Sequence, residues 1–292
     1  MQEDNPQFES YLASAVAQAT RVPCPARFAE ALEYAVFPGG ARVRPRLCLA
    51  VAHANGMPDP LLAIAAAGAI ELLHCASLVH DDLPCFDNAD ERRGKASVHK
   101  AYGERLAVLV GDALIVLAYQ SLMNQASNVL SAPALISVHQ CISKSVGAPL
   151  GICAGQAWEC ESDIDLHAYH QAKTAALFIA STCVGAASAG QDPALWQLLG
   201  DRIGEAYQVA DDILDACADA AITGKPVGQD AIHGRPNAVS VLGLDGAVQR
   251  FKLLVSEGID AIPECAGRPD LQRLVRAQAE SLLPKKLVLR AA

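Results

Sequence analysis

An all-α fold is predicted by three features of this 292-residue chain. Apolar residues recur mostly at three- and four-residue spacing, as on one face of a helix. Alanine, the best helix former, carries much of the 52% hydrophobic content. Strand-like alternation bounded by turns is nearly absent. The helical period is set early by Phe28, Leu32, Ala35 and Val36, after breaks at Pro23 and Pro25. Pro38-Gly39-Gly40 closes that segment, and Asn55-Gly56 to Pro60 closes the next. The stretch 61–80 is apolar apart from Glu71, His74 and His80, and is followed by a break at Pro84. The stretch 104–127 is apolar nearly all round and is expected to be a helix buried on most faces. Its most apolar part, 106–119, is shorter than the roughly 20 residues a bilayer needs. Both stretches read as buried helices of a soluble protein, with no membrane span. Later breaks fall at Ala132-Pro133, Gly190 to Pro193, Gly224 to Pro236, and Pro263 to Pro269. About ten helical segments lie between these breaks, and no linker separates two domains. Residues 1–292 are therefore expected to form a single domain, one large helical bundle.

Composition narrows the function. A net charge of −9 argues against nucleic acid, which is held by clustered Lys and Arg. The ten cysteines include no CxxC pair, so zinc sites and a compact disulfide framework are unsupported. Reduced thiols and a cytoplasmic location fit better, and MQEDNPQFES is too polar for a secretory signal.

Two aspartate-rich segments carry the chemistry, and they are expected to form the two walls of one magnesium–diphosphate site. In DDILD, Asp211 and Asp215 stand four apart, on one helical face, with Asp212 beside them. Three such carboxylates repel one another unless a cation intervenes, and burial makes the conflict worse. Mg²⁺, held by one or two carboxylates plus substrate phosphates, relieves it. An exposed acidic turn is the plainer alternative for this segment taken alone. In DDLPCFD at 81–87, Asp81 and Asp82 end the apolar stretch 61–83. Pro84 disfavours helix at Leu83, so the chain can loop and bring Asp87 back towards Asp81. Arg92 and Arg93 follow at once, and guanidinium forks suit phosphate oxygens. A surface salt-bridge network is the alternative here. There is neither a GxxxxGK[ST] loop nor a strand–GxGxxG–helix unit, so metal and basic side chains must hold any phosphate.

With these segments in view, the sequence resembles the trans-isoprenyl diphosphate synthases nearly end to end. DDLPCFDNADERRGK is similar to the family's first aspartate-rich motif in its long form, and QVADDILD to the second. GGARVRP at 39–45, ELLH at 71–74 and AYHQAKTAALF at 168–178 match further motifs in order. The resemblance implies helices around a central cavity, a homodimer, and about three Mg²⁺ ions, with Mn²⁺ able to substitute. It implies that isopentenyl diphosphate attacks the carbocation left when an allylic prenyl diphosphate loses its diphosphate. By position, Asp81, Asp87 and Asp211 become direct metal ligands, while Asp82 and Asp215 act through water or as support. Arg92, Lys173 and Lys225 would hold the allylic diphosphate, and Arg44, His74 and Arg93 isopentenyl diphosphate. Lys173, Thr174 and Gln208 form the catalytic set, the last two turning oxygen dipoles to the cation. Taken singly, Lys173, Lys225, His74 and Gln208 also read as ordinary solvated or core residues.

The match departs at Ala41, where the family usually has a lysine on isopentenyl diphosphate. A lost hydrogen bond to a charged group weakens binding about ten- to hundredfold, which Arg42 or another base could offset. Arg235 and Glu159 replace a lysine and an aspartate of the usual pattern. Two rivals follow: a regulatory subunit, which Ala41 favours and the intact aspartates oppose, and a class I terpene cyclase, which the 5% aromatic content opposes.

Ala76 and Ser77 precede Asp81 by about one helical turn and are expected to face the growing hydrocarbon tail. An alanine at 76, where bacterial farnesyl synthases usually carry an aromatic, leaves the pocket deeper. HCASLVHDD with the long first motif resembles the geranylgeranyl diphosphate synthases of carotenoid-producing and phototrophic bacteria, which implies a C20 product rather than C15. Ala76→Phe is expected to shift the product towards shorter chains, read by sizing the dephosphorylated alcohols; an unchanged distribution would show that position 76 does not set the floor.

Overall fold

The computed structural model describes residues 5–37, 40–125, 128, 130–162, 169, 171–217 and 237–283, the side chains of Gln171 and Thr174 excepted. Among them the chain is all-α apart from one two-stranded hairpin. The helices are α1 Pro6–Ala19, α2 Ala26–Val36, α3 Val43–Ala54, α4 Pro60–Asp81, α5 Val98–Tyr102 and α6 Glu104–Met123. They continue as α7 Ala132–Val146, α8 Ile152–Ala157, α9 Ala176–Ser188, α10 Gln197–Cys217, α11 Ala238–Asp260 and α12 Arg268–Leu282. A π-helical turn, Gln171–Ala175, leads into α9. The hairpin pairs β1 Glu91–Arg92 with β2 Lys95–Ala96.

The chain forms two compact units, residues 1–143 with 184–191, and residues 144–183 with 192–292. The first is organised on α4. Asp59 caps this helix by accepting from Leu62 N–H at 3.1 Å, and Pro60 occupies the first turn, where its missing N–H costs nothing. From Leu62 to Leu73 every residue is buried, with α3, α6, α1 and α2 packed around the helix. Close approach of α6 depends on Gly111: a Cβ there would lie 2.1 Å from Nε2 of His80. In the second unit α10 packs along α11, and the π turn sits against α8 and α10.

Both α4 and α6 are long and apolar enough to cross a membrane by length and composition. The most apolar window of α4 is 83% buried, that of α6 only 44%. The expectation that 104–127 is buried on most faces therefore fails. One face of α6 packs on α4 through Ala107, Val110, Gly111 and Leu114, while Val108, Leu109, Val116 and Met123 are exposed. Apolarity all round a helix reports that both faces avoid charge, not that both are covered within one chain.

Arg42, one of the bases that could offset Ala41, is engaged elsewhere. Its guanidinium is buried, 2.6 Å from Glu71 Oε1 and 3.0 Å from Glu9 Oε1, and it donates to the Val36 carbonyl at 3.3 Å. Arg42 is thus committed to joining α1, α2 and α4, and does not stand in for the lysine missing at Ala41. Removing one member of a buried pair leaves the other charge uncompensated. Arg42→Ala is expected to lower the unfolding free energy by about 3–5 kcal/mol in urea titrations, and Arg42→Leu/Glu71→Leu by less, because only the half-exposed Glu9 then loses its partner.

Candidate active site

The first aspartate segment lies at the exit of α4. The helix stops at Asp81, and Pro84 turns the chain so that Asp87 N–H donates to the Asp81 carbonyl at 2.9 Å and Ala89 N–H to that of Asp82 at 3.2 Å. Asp87 is therefore returned beside Asp81, both half-buried at the end of an apolar helix. Asp82 is buried and points elsewhere. Its Oδ1 accepts from Arg92 Nε at 3.0 Å and from the terminal nitrogen at 2.5 Å, which ties the helix end to β1. Burial pushes the Asp82 carboxyl above its ordinary value, against the pull of Arg92. Burial also works against the charge on Arg92, but Asp82, Asp81 and Asp87 outweigh it and raise its pKa. His99 on α5 was not anticipated from sequence. Its buried ring meets Ser97 Oγ at 3.0 Å through Nδ1 and bears electrostatically on Asp82.

Behind this turn the same unit gathers the residues expected to hold isopentenyl diphosphate. Arg44, in the first turn of α3, lies 3.3 Å from His74 Nε2 on α4. Arg93 adopts a left-handed backbone at φ 55° and lies against the backbone of Gly40, where a Cβ would fall 2.9 Å from its Cζ. The second glycine of GGARVRP is thus a seat for Arg93. Ala41 is exposed. Ala76 is 1% exposed, and the Ser77 hydroxyl turns back to the His74 carbonyl at 2.9 Å.

In the second unit, Asp211 is exposed and Asp215 half-buried, one turn apart on α10. Asp212 has a different task. It is 6% exposed, accepts from Gln208 Nε2 at 2.9 Å, and accepts from Ala238 N–H at 2.7 Å, the first residue of α11. A carboxylate at a helix N-terminus meets unpaired N–H groups and the positive end of the dipole. Gln208 is thereby oriented through its amide nitrogen. Lys173 lies in the π turn, with its ammonium 2.5 Å from Glu159 Oε1. Neither Glu159 nor Tyr169, which donates to the same carboxylate at 2.6 Å, was singled out as a partner from sequence. The four-residue spacing of Tyr169 and Lys173 was the available signal. Lys225 lies outside the described residues, as do Arg235 and the Thr174 side chain.

Carboxylate oxygens are hard donors suited to Mg²⁺, which is bound by few protein ligands and completed by phosphate and water. Asp81 with Asp87, and Asp211 with Asp215, fit that donor requirement. Among the described residues, no group of three or more His, Cys, Asp or Glu side chains forms a cage that could hold a metal by itself.

Comparison with known proteins gives a consistent result. The family model described as polyprenyl synthetase matches residues 25–264. The chain is 51% identical over 282 residues to a geranylgeranyl diphosphate synthase of Cereibacter sphaeroides, covering 97% of each. It is 50% identical over 276 residues to that of Rhodobacter capsulatus, covering 94% of each. Among solved structures, it is similar to a geranyltransferase of Legionella pneumophila, with TM-score 0.76, 26% identity, and 94% and 95% of the two chains covered. It is also similar to a geranylgeranyl pyrophosphate synthetase of Pyrococcus horikoshii Ot3, with TM-score 0.74, 28% identity, and 94% and 99% covered.

The His74 ring makes a pH prediction. Burial, and then the positive charges of Arg44, Arg93, Arg92 and Arg42, hold its pKa well below 6.5. Below about pH 6.5 the unfolded chain then binds a proton that the folded chain refuses, so stability falls as pH falls, by up to about 1.4 kcal/mol per pH unit. His74→Gln should remove about one proton from that slope, measured by urea unfolding between pH 5 and 7; an unchanged slope would show that His74 is protonated alike in both states.

Proposed function

The chain belongs to the polyprenyl synthetase family, and on that premise we propose that it condenses isopentenyl diphosphate with allylic prenyl diphosphates to give geranylgeranyl diphosphate. The observation that carries the product is end-to-end similarity, at about half identity, to two geranylgeranyl diphosphate synthases. The aspartate segments and their basic neighbours support the chemistry.

In the first unit, Asp81 and Asp87 are assigned to bind Mg²⁺ directly, with Asp82 as support through its bond to Arg92. In the second, Asp211 is assigned as a ligand and Asp215 as a partner through water. Bound Mg²⁺ supplies Lewis-acid polarisation and neutralises charge on a departing diphosphate. Arg92 and Lys173, with Lys225, hold the allylic diphosphate by charge-assisted hydrogen bonds. Arg44 and Arg93 hold isopentenyl diphosphate, and His74, kept neutral by burial, contributes a hydrogen bond rather than charge. Thr174 and Gln208 present oxygen dipoles to the cation as the allylic C–O bond breaks and the new C–C bond forms. The released diphosphate takes the proton, so no side-chain base is required.

The exposed row Val108, Leu109, Val116 and Met123 on α6 supports a homodimer in which a second copy covers this face. The ten cysteines, none of them in a disulfide, accord with a reducing, cytoplasmic setting.

The test is to incubate the isolated protein with Mg²⁺, dimethylallyl diphosphate and isopentenyl diphosphate, then size the alcohols. A dominant C20 alcohol is expected, with Asp81→Asn and Asp211→Asn each lowering kcat by about a hundredfold or more. A dominant C15 alcohol would refute the product, and no turnover would favour a regulatory subunit.

A further inference from the structure

Lys173 is held at both ends by one short segment. Its backbone enters the π turn against α8, where Gly155 leaves no room for a side chain: a Cβ would lie 2.4 Å from the Lys173 nitrogen. One turn later, in the 3-10 turn Trp158–Cys160, Glu159 receives the ammonium on Oε1 at 2.5 Å. Tyr169 donates its hydroxyl to the same oxygen at 2.6 Å, and Gln156 Nε2 reaches Oε2 at 3.4 Å. The Tyr169 ring centroid lies 5.8 Å from the ammonium, near the limit of a cation–π contact. Lys173 and Glu159 are largely buried, at 21% and 18% side-chain exposure. Single π turns within helices are uncommon and recur at functional sites.

A lysine is a flexible stem carrying a point charge, and it ordinarily loses rotamer freedom when it binds an anion. Here the side chain is already directed before any anion arrives. An ammonium has three N–H donors, so a carboxylate can aim it while it still serves phosphate oxygens. Glu159 is itself fixed through both oxygens. The Tyr169 hydroxyl is engaged with Glu159 and so helps to fix that carboxylate.

We infer that Glu159 and Tyr169 are positioning residues for Lys173, and that Tyr169 acts through Glu159 to set the affinity for the allylic diphosphate. This rests on the assignment of Lys173 to that diphosphate. It gives Glu159, a departure from the usual aspartate, a function of its own: the extra methylene carries its carboxylate to Lys173, and the same carboxylate accepts the tyrosine hydroxyl.

Steady-state kinetics with both substrates varied tests the inference. Tyr169→Phe should raise the allylic KM about three- to tenfold, the worth of an ordinary hydrogen bond, with kcat, the KM for isopentenyl diphosphate and the unfolding midpoint unchanged. Glu159→Gln should raise the allylic KM further, and Glu159→Asp should restore part of the loss. On a Lys173→Ala background, Tyr169→Phe should add nothing, because its effect runs through the lysine. The inference is overturned if Tyr169→Phe leaves the allylic KM at the wild-type value, or raises it by the same factor on the Lys173→Ala background. If Lys173→Ala itself leaves the allylic KM unchanged, the assignment of Lys173 fails and the inference falls with it. Should Glu159→Gln fail to fold, Tyr169→Phe alone decides.

Discussion

Helix α4 must stay buried from Leu62 to Leu73 and yet lead into two carboxylates. Nothing polar is tolerated along its first three turns, where every residue from Leu62 to Leu73 except Glu71 is apolar or glycine. Charge is admitted only when matched: Glu71 by Arg42, and Asp82 by Arg92. Leaving any of these groups unpaired in the interior would be costly, so the positions of Arg42 and Arg92 are dictated by the helix they serve. From that follow the left-handed backbone of Arg42 and the hairpin that carries Arg92 back to the helix end. The returning loop then brings the backbone of Asp87 back against that of Asp81.

The same constraint separates arginines that look alike in GGARVRP. Arg42 is spent on stability, whereas Arg44, two residues on, lies against a histidine that burial and four guanidiniums keep uncharged. A cluster of positive charge around a neutral ring attracts anions without the ring competing for protons. Ala41 removes one cation from the neighbourhood, and Arg42 does not replace it. Arg93, seated on Gly40, and Arg44 remain as the charges that the proposed isopentenyl diphosphate site would rely on.

Much of this was legible in the sequence wherever the signal was local. The run 61–80 had no polar interruption that a buried helix could not accommodate, and Pro84 foretold a loop returning Asp87 towards Asp81. Motif order pointed to the family, because five short patterns in register are far more specific than any one. What stayed hidden depended on contacts distant in sequence. Arg42 and Glu71 are 29 residues apart, and no local pattern distinguishes a buried arginine from a substrate-binding one. The exposed half of α6 was misread because apolar residues on both faces of a helix look the same whether the second face is covered by this chain or left open. Glu159 was noticed only as a departure, since its partnership with Lys173 depends on α8 meeting the π turn.

Asp212 gives α10 and α11 a fixed meeting point. By accepting from the first amide of α11 across a separation of 26 residues, it anchors that helix start on α10. Asp211 and Asp215 flank this anchor on α10, so a change at Asp212 that freed the start of α11 would disturb the acidic face as well.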